Sequence, residues 1–162
     1  MKIESLLDMQ KQLDVHIEKE HGLRDEDLVD RKILALLVEV GELANETRSF
    51  KFWSKKKASA KNVILEEYVD GIHFILSLGI EMGLQDIELE RGHSDTEDLN
   101  EQFLHIYQCI TEFRKEPSVT HFLDLFDGYL YLGELLGFTS DDVFKAYTEK
   151  NKVNYERQQE GY

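Results

Sequence analysis

Two pairs of acidic residues, each set within a helical pattern of apolar residues, constrain this chain more than any other feature. The first pair is Glu39 and Glu42, and the second is Glu67 and Asp70. A spacing of three places both carboxylates of a pair on one helix face. Because an uncompensated carboxylate is costly to remove from water, two such faces are expected to meet around a cation. Opposed oxygen ligands of this kind suit Mg²⁺ or Mn²⁺.

Six segments of the 162-residue chain have helical periodicity and predict an all-α bundle in one domain, residues 1–162. The predicted helices are 3–20, 25–49, 58–82, a fourth that follows a capping box at Ser94 and ends at Pro117, a fifth between Ser118 and Gly137, and a sixth from Thr139 to about 158. The third is apolar around most of its circumference, which predicts a central position. The fifth is similarly apolar, which suits either a core helix or a dimer interface.

Composition narrows the class of protein. A formal net charge of −14 argues against a broad nucleic-acid surface. The single cysteine, Cys109, excludes an internal disulfide framework and leaves the redox compartment open, with a reducing cytoplasm as the default. The first residues carry acids where a signal peptide needs an apolar run, and no stretch resembles a membrane helix. We therefore expect a cytoplasmic protein that binds neither membranes nor nucleic-acid polymers.

A helical wheel separates the second acid pair from ordinary surface charge. Glu67 shares its face with apolar residues and Asp70 lies at the edge of that face, while Glu66 points toward a polar side that also carries Asn62, His73 and Ser77. On the second helix, Glu39 and Glu42 run beside the apolar stripe. These positions favour a metal site over a structural cluster of salt bridges.

The identity of the metal follows from the available ligands. Carboxylate-bridged di-iron bundles need E-x-x-H motifs, and the chain has them at Glu18-x-x-His21 and Glu90-x-x-His93, outside the acid pairs. His73 follows Asp70 by three but is rotated toward the polar side of its helix, so we expect it to be exposed or to lie behind the ligands rather than to bind the metal. All-oxygen ligation favours Mg²⁺, which in proteins commonly serves phosphates.

Two further segments could complete a nucleotide site. The connector between the acidic helices carries an aromatic platform, Trp53, and a run of lysines that begins at Lys55. The last helix carries donors in line at helical spacing, namely Lys150, Asn151, Asn154 and Arg157. Taken singly, each segment also suits a simpler interpretation, as a solvated connector and an exposed terminal helix.

Together these motifs resemble the dimeric all-α dUTPase family, within the all-α nucleoside triphosphate pyrophosphatase superfamily. The resemblance rests on E-x-x-E followed by E-x-x-D, on Phe52-Trp53-Ser, on Lys150-Asn-x-x-Asn154-x-x-Arg157, and on Leu7-x-x-Gln10-x-x-Leu13-Asp14. The chain is similar to the compact bacterial and phage branch. Some members have Asn where this chain has Asp14.

The resemblance implies a Mg²⁺-dependent hydrolysis of dUTP, and of dUDP, through attack on the β-phosphate. Two or more Mg²⁺ ions would be held by the four carboxylates, with Glu39 accepting the proton of the attacking water. Phosphates would be bound by Lys55, Lys150, Asn151, Asn154 and Arg157, and the base by Gln10, Asp14 and Trp53. A homodimer is also implied.

Two alternatives remain open from the sequence. One is a MazG-type pyrophosphatase with a different or broader base preference, because the carboxylate pattern is common to the superfamily. The other is a non-catalytic helical interaction module whose acidic face meets a basic partner.

Overall fold

The computed structural model describes residues 3–85, 87–88 and 96–162, and these residues form six helices and no strand. The helices are α1 (Ile3–His21), α2 (Val29–Thr47), α3 (Lys61–Glu81), α4 (Leu99–Lys115), α5 (Val119–Leu135) and α6 (Ser140–Gln159). The predicted all-α fold is confirmed. The starts of α2 and α4 differ most from the prediction, and α2, predicted from residue 25, begins at Val29. Within the described ranges, no helix is both long and apolar enough to cross a bilayer.

Side-chain caps set the starts of the last three helices. Ser118 and Thr139 cap α5 and α6, as the sequence predicts, and Thr139 belongs to a reciprocal capping box. The predicted start of α4 is wrong. Asp98 caps this helix by accepting two backbone N–H bonds of its first turn, at 2.7 and 3.2 Å. A carboxylate there also favours the positive end of the helix dipole. Ser94, and the Glu90 and His93 motif, lie outside the described residues.

The third helix is central, as predicted. It packs against α1, α2, α5 and α6. The apolar side chains of α5 also point into the core, where Phe122, Leu125 and Phe126 are fully buried. Of the two interpretations that the sequence leaves open for α5, the core helix is therefore correct.

A pair of tyrosines joins α3 to α5. The rings of Tyr68 and Tyr129 stack with centroids 4.8 Å apart, and each hydroxyl donates to the other residue's backbone carbonyl, at 3.0 and 2.8 Å. Gly71 and Gly133 leave room for the two phenol rings. Since Tyr68 directly follows Glu67, this contact fixes α3 at the turn that carries the second acid pair.

We expect Gly71→Ala to lower the free energy of unfolding by about 1–3 kcal/mol, the usual cost of overpacking a core. The added Cβ would lie 2.0 Å from the Tyr129 hydroxyl oxygen. Gly128→Ala is the matched control, because its Cβ would lie 3.5 Å from the nearest atom, on His105. There, alanine's better helix propensity should leave stability unchanged or raise it by up to about 1 kcal/mol. Equilibrium urea unfolding measures both, and equal effects would contradict the packing argument.

Candidate active site

Antiparallel packing of α2 and α3 creates a cluster of three carboxylates. One oxygen each from Glu39, Glu67 and Asp70 lies within 4.8 Å of the others. All three side chains are half-buried, whereas Glu66 is exposed, as the helical wheel predicts. The expectation that the acidic faces of the two helices meet is confirmed by this cluster.

The cluster has more negative charge than its surroundings offset. Burial, and then the charges of Asp70, Glu42 and Glu67, raise the pKa of Glu39 to about 7. Burial and the neighbouring acids also raise the pKa of Glu67. Lys150 of α6 supplies a positive charge through an ion pair with Asp70 at 2.9 Å. Clustered carboxylate oxygens with unbalanced charge are the donor set that Mg²⁺ takes, so the residues fit such an ion.

Three of the four predicted carboxylates lie in this cluster. Glu42 is exposed and stands outside the cluster, although its charge acts on both Glu39 and Glu67. One turn further along α2, Glu46 accepts a hydrogen bond from the Ser59 hydroxyl and also raises the pKa of Glu67. The end of the connector is thereby attached to the acidic face of α2.

A cavity of about 350 Å³ opens beside the cluster, among α1, α2, α3 and α6. Glu39 and Asp70 line it. Of the other residues predicted from the sequence, it brings together Gln10, Asp14, Lys150, Asn154 and Arg157. Acids, amides and cations predicted from four separate segments thus share one concave site.

Among the predicted phosphate- and base-binding residues, three do not line this cavity. Trp53 is 64% exposed and meets Phe52 edge-on, with ring centroids 5.1 Å apart. Lys55 is exposed on the same connector. Asn151 is buried, and its amide donates to the backbone carbonyl of Met9 at 3.5 Å, so it joins α6 to α1.

His73 is buried, so the exposed position, one of the two expected for it, is not observed. The residue is 6% exposed because α1 and α6 cover this side of α3 and supply polar partners. Its Nδ1 lies 2.7 Å from Gln10 Oε1, and its ring stacks on Tyr147 at 4.2 Å between centroids. Burial lowers the pKa of His73 to about 3, so the imidazole is neutral. Ser77 is likewise buried and donates to Asp14 Oδ2 at 2.7 Å.

The sequence interpretation also missed Lys32, which lines the same cavity. Its side chain is only 11% exposed and lies among carboxylates of α1 and α3. A signal was available in the spacing. Lys32 precedes Glu39 by seven residues, which places both on one face of α2.

Comparison with known proteins gives one clear match. A family model described as dUTPase matches residues 2–162, a range that includes all six helices and every residue of the cluster and cavity. None of the curated proteins compared with the chain matches it. Since the family model covers nearly the whole chain, this protein belongs to the dUTPase family of enzymes.

Proposed function

We propose that the protein hydrolyses dUTP to dUMP and pyrophosphate in a Mg²⁺-dependent reaction, and that it does so in the cytoplasm. The observation that carries the proposal is one cavity lined by residues of three kinds. These are members of the carboxylate cluster, the α6 donors Lys150, Asn154 and Arg157, and the amide of Gln10. A nucleoside triphosphate would use all three: carboxylates for the ions that neutralise its charge, cations and amides for its phosphates, and an amide for its base.

Glu39, Glu67 and Asp70 would hold the metal, with Glu42 completing the set from its exposed position beside them. Two or more Mg²⁺ ions, or Mn²⁺ as a substitute, would neutralise charge that develops on the phosphates. Among the carboxylates, Glu39 is the best candidate to accept the proton of the attacking water. Burial and the neighbouring acids raise the pKa of Glu39 to about 7. Burial also raises the pKa of Asp70, but there the hydrogen bond from Lys150 opposes the rise. Attack on the β-phosphate would also make dUDP a substrate.

Binding of the rest of the nucleotide divides between two sides of the cavity. Lys150, Asn154 and Arg157 would bind phosphate oxygens, with Lys55 added from the connector. Gln10 and Asp14 would hold the base, with Trp53 as a stacking platform on the connector. Asn151 would act indirectly, by holding α6 against α1.

A nucleotide panel tests the function directly. We expect the protein to release pyrophosphate from dUTP in preference to dCTP, dTTP and ATP, to lose activity in chelator, and to regain it with Mg²⁺ or Mn²⁺. A broad preference would indicate a MazG-type activity instead. No hydrolysis, together with no saturable Mg²⁺-dependent nucleotide binding, would indicate a non-catalytic module.

Glu39→Gln should separate stability from activity. In chelator, the free energy of unfolding of the unmodified protein should fall as pH rises from about 4.5 to about 7, because Glu39 binds its proton more tightly when folded. The variant should show a flatter profile and greater stability at high pH. Its hydrolysis of dUTP should fall by at least about 100-fold, the range expected for a lost general base.

The matched control for Glu39→Gln is Glu149→Gln, an exposed acid on α6. It should change neither the pH profile nor the rate. Full activity in Glu42→Gln or Asp70→Asn would contradict the metal site itself.

We also propose a homodimer. Because the apolar side chains of α5 are buried in the core, the dimer interface must use other apolar side chains that are exposed. Leu34 and Val38 are 63% and 50% exposed on one face of α2, and Leu104 of the adjoining α4 is 71% exposed. A face of this kind is typical of a surface that a second copy covers.

Sedimentation velocity at micromolar concentration checks the dimer. The unmodified protein should sediment at twice the mass of one chain, and Val38→Glu should shift it toward the monomer by placing a charge in the interface. Val119→Glu is the control, since Val119 is equally exposed, at 50%, on α5. A monomeric unmodified protein would contradict the proposal.

A further inference from the structure

Lys32 is an enclosed cation in an acidic setting. Its ammonium lies 3.9 Å from Asp14 and 3.8 Å from Glu18 of α1, and it also pairs with Glu81 of α3. The neighbouring Arg31, by contrast, has a side chain that is 69% exposed and pairs only peripherally, with Glu26. Lys32 is therefore the basic group of α2 that faces the cavity wall.

The carboxylate of Asp14 orients the amide of Gln10. Asp14 accepts hydrogen bonds from Gln10 Nε2 at 2.8 Å and from the Ser77 hydroxyl at 2.7 Å. Burial raises the pKa of Asp14, and the hydrogen bond from Ser77 and the charge of Lys32 oppose that rise. An ionised carboxylate can only accept, so Gln10 turns its NH₂ group toward Asp14. Its Oε1 consequently faces Tyr147 and His73, each at 2.7 Å.

This orientation determines where His73 carries its proton. Gln10 Oε1 is an acceptor, so His73 must donate to it from Nδ1. The neutral ring then has a bare lone pair on Nε2. That atom is buried and has no hydrogen-bond partner among the residues that the structure describes, and His73 lines the cavity. A buried acceptor without a partner at a ligand cavity indicates a ligand that donates a hydrogen bond there.

We propose that Lys32 is a positioning residue that keeps Asp14 ionised. The ionised carboxylate sets the direction of the hydrogen bonds through Gln10 to His73. As a result, Nε2 of His73 accepts a hydrogen bond from the bound nucleotide. The inference rests on the proposed function. In a deoxyuridine nucleotide the donor is either the N3–H of the base or the 3′-hydroxyl of the sugar. The N3 of cytosine carries no hydrogen, so the first source would also select against cytosine.

Removal of the Lys32 charge should reverse the network. In Lys32→Met, Asp14 takes up a proton from solvent and donates it to Gln10, whose amide then flips and presents NH₂ to His73. His73 responds by moving its proton from Nδ1 to Nε2, which now clashes with a donor on the nucleotide. Lys32→Arg keeps the charge and should keep the network.

Nitrogen-15 NMR of the histidine side chains tests the direction of the network without relying on catalysis. The His73 signal is assigned by its loss in His73→Gln. In the unmodified protein we expect a proton on Nδ1 and none on Nε2, and in Lys32→Met the opposite tautomer. A protonated Nε2 in the unmodified protein would overturn the proposal, even if Lys32→Met did not fold.

Calorimetric titration with dUMP tests the consequence for binding. Lys32→Met should bind dUMP at least about tenfold more weakly, the effect of one misdirected buried hydrogen bond. Lys32→Arg and the surface control Arg31→Met should bind like the unmodified protein.

Titrations with dCMP and with 2′,3′-dideoxyuridine 5′-monophosphate distinguish the two possible donors on the nucleotide. Weak binding of dCMP alone assigns the donor to N3–H, and weak binding of the dideoxy compound alone assigns it to the 3′-hydroxyl. Equally tight binding of all three nucleotides would overturn the proposal.

A double variant separates positioning from a general structural role. Asp14→Asn retains an amide oxygen that accepts from Gln10 but has no charge to compensate, so adding Lys32→Met to it should cost little further dUMP affinity. Additive losses in the double variant would overturn the proposal. The proposed function fails separately, if the unmodified protein does not hydrolyse dUTP.

Discussion

Repulsion among three carboxylates is the constraint around which this structure is arranged. Glu39, Glu67 and Asp70 are held within 4.8 Å of one another, and each would be more stable alone in water. The opposing free energy comes from the apolar sides of the same two helices, where residues such as Leu36, Val40 and Ile72 are fully buried. The site is therefore electrostatically unfavourable by construction, and a bound cation would relieve it. Such a conflict between stability and activity is common at catalytic centres.

The central helix α3 serves two different purposes on its two sides. Toward α5, the stacked and reciprocally bonded Tyr68 and Tyr129 anchor the backbone next to Glu67. Toward α1 and α6, His73 and Ser77 take part in a buried polar network. The first side holds the carboxylates in place, and the second presents directional groups to the cavity. Because both sides belong to one helix, the geometry of that helix sets the spacing between the carboxylate cluster and the buried polar network.

Features of the site that depend on spacing within one helix were predictable from the sequence. Three-residue spacing is enough to place Glu67 and Asp70 together and to separate them from Glu66. The meeting of the acidic residues of α2 and α3 was also predictable. The acids of each helix lie beside its apolar stripe, and both stripes must face the same core. Glu42 shows the limit of this reasoning: it has the correct spacing, but its side chain remains exposed. A helical wheel shows the direction in which a side chain leaves the helix, but not how deeply that side chain is buried.

What the sequence determined by itself is the all-α fold, the central position of α3 and the meeting of acidic faces, since the spacing of apolar and acidic residues along a helix is a local property of each segment. Only the tertiary structure decided the fate of polar residues. A polar side of a helix is expected to face solvent, yet His73 is buried because helices from both ends of the chain cover it. Lys32 is enclosed in the same way, by acids on α1 and α3 that are distant in sequence. The burial of a side chain depends on which other helices pack against its surface, and the spacing of residues within one helix does not determine those helices.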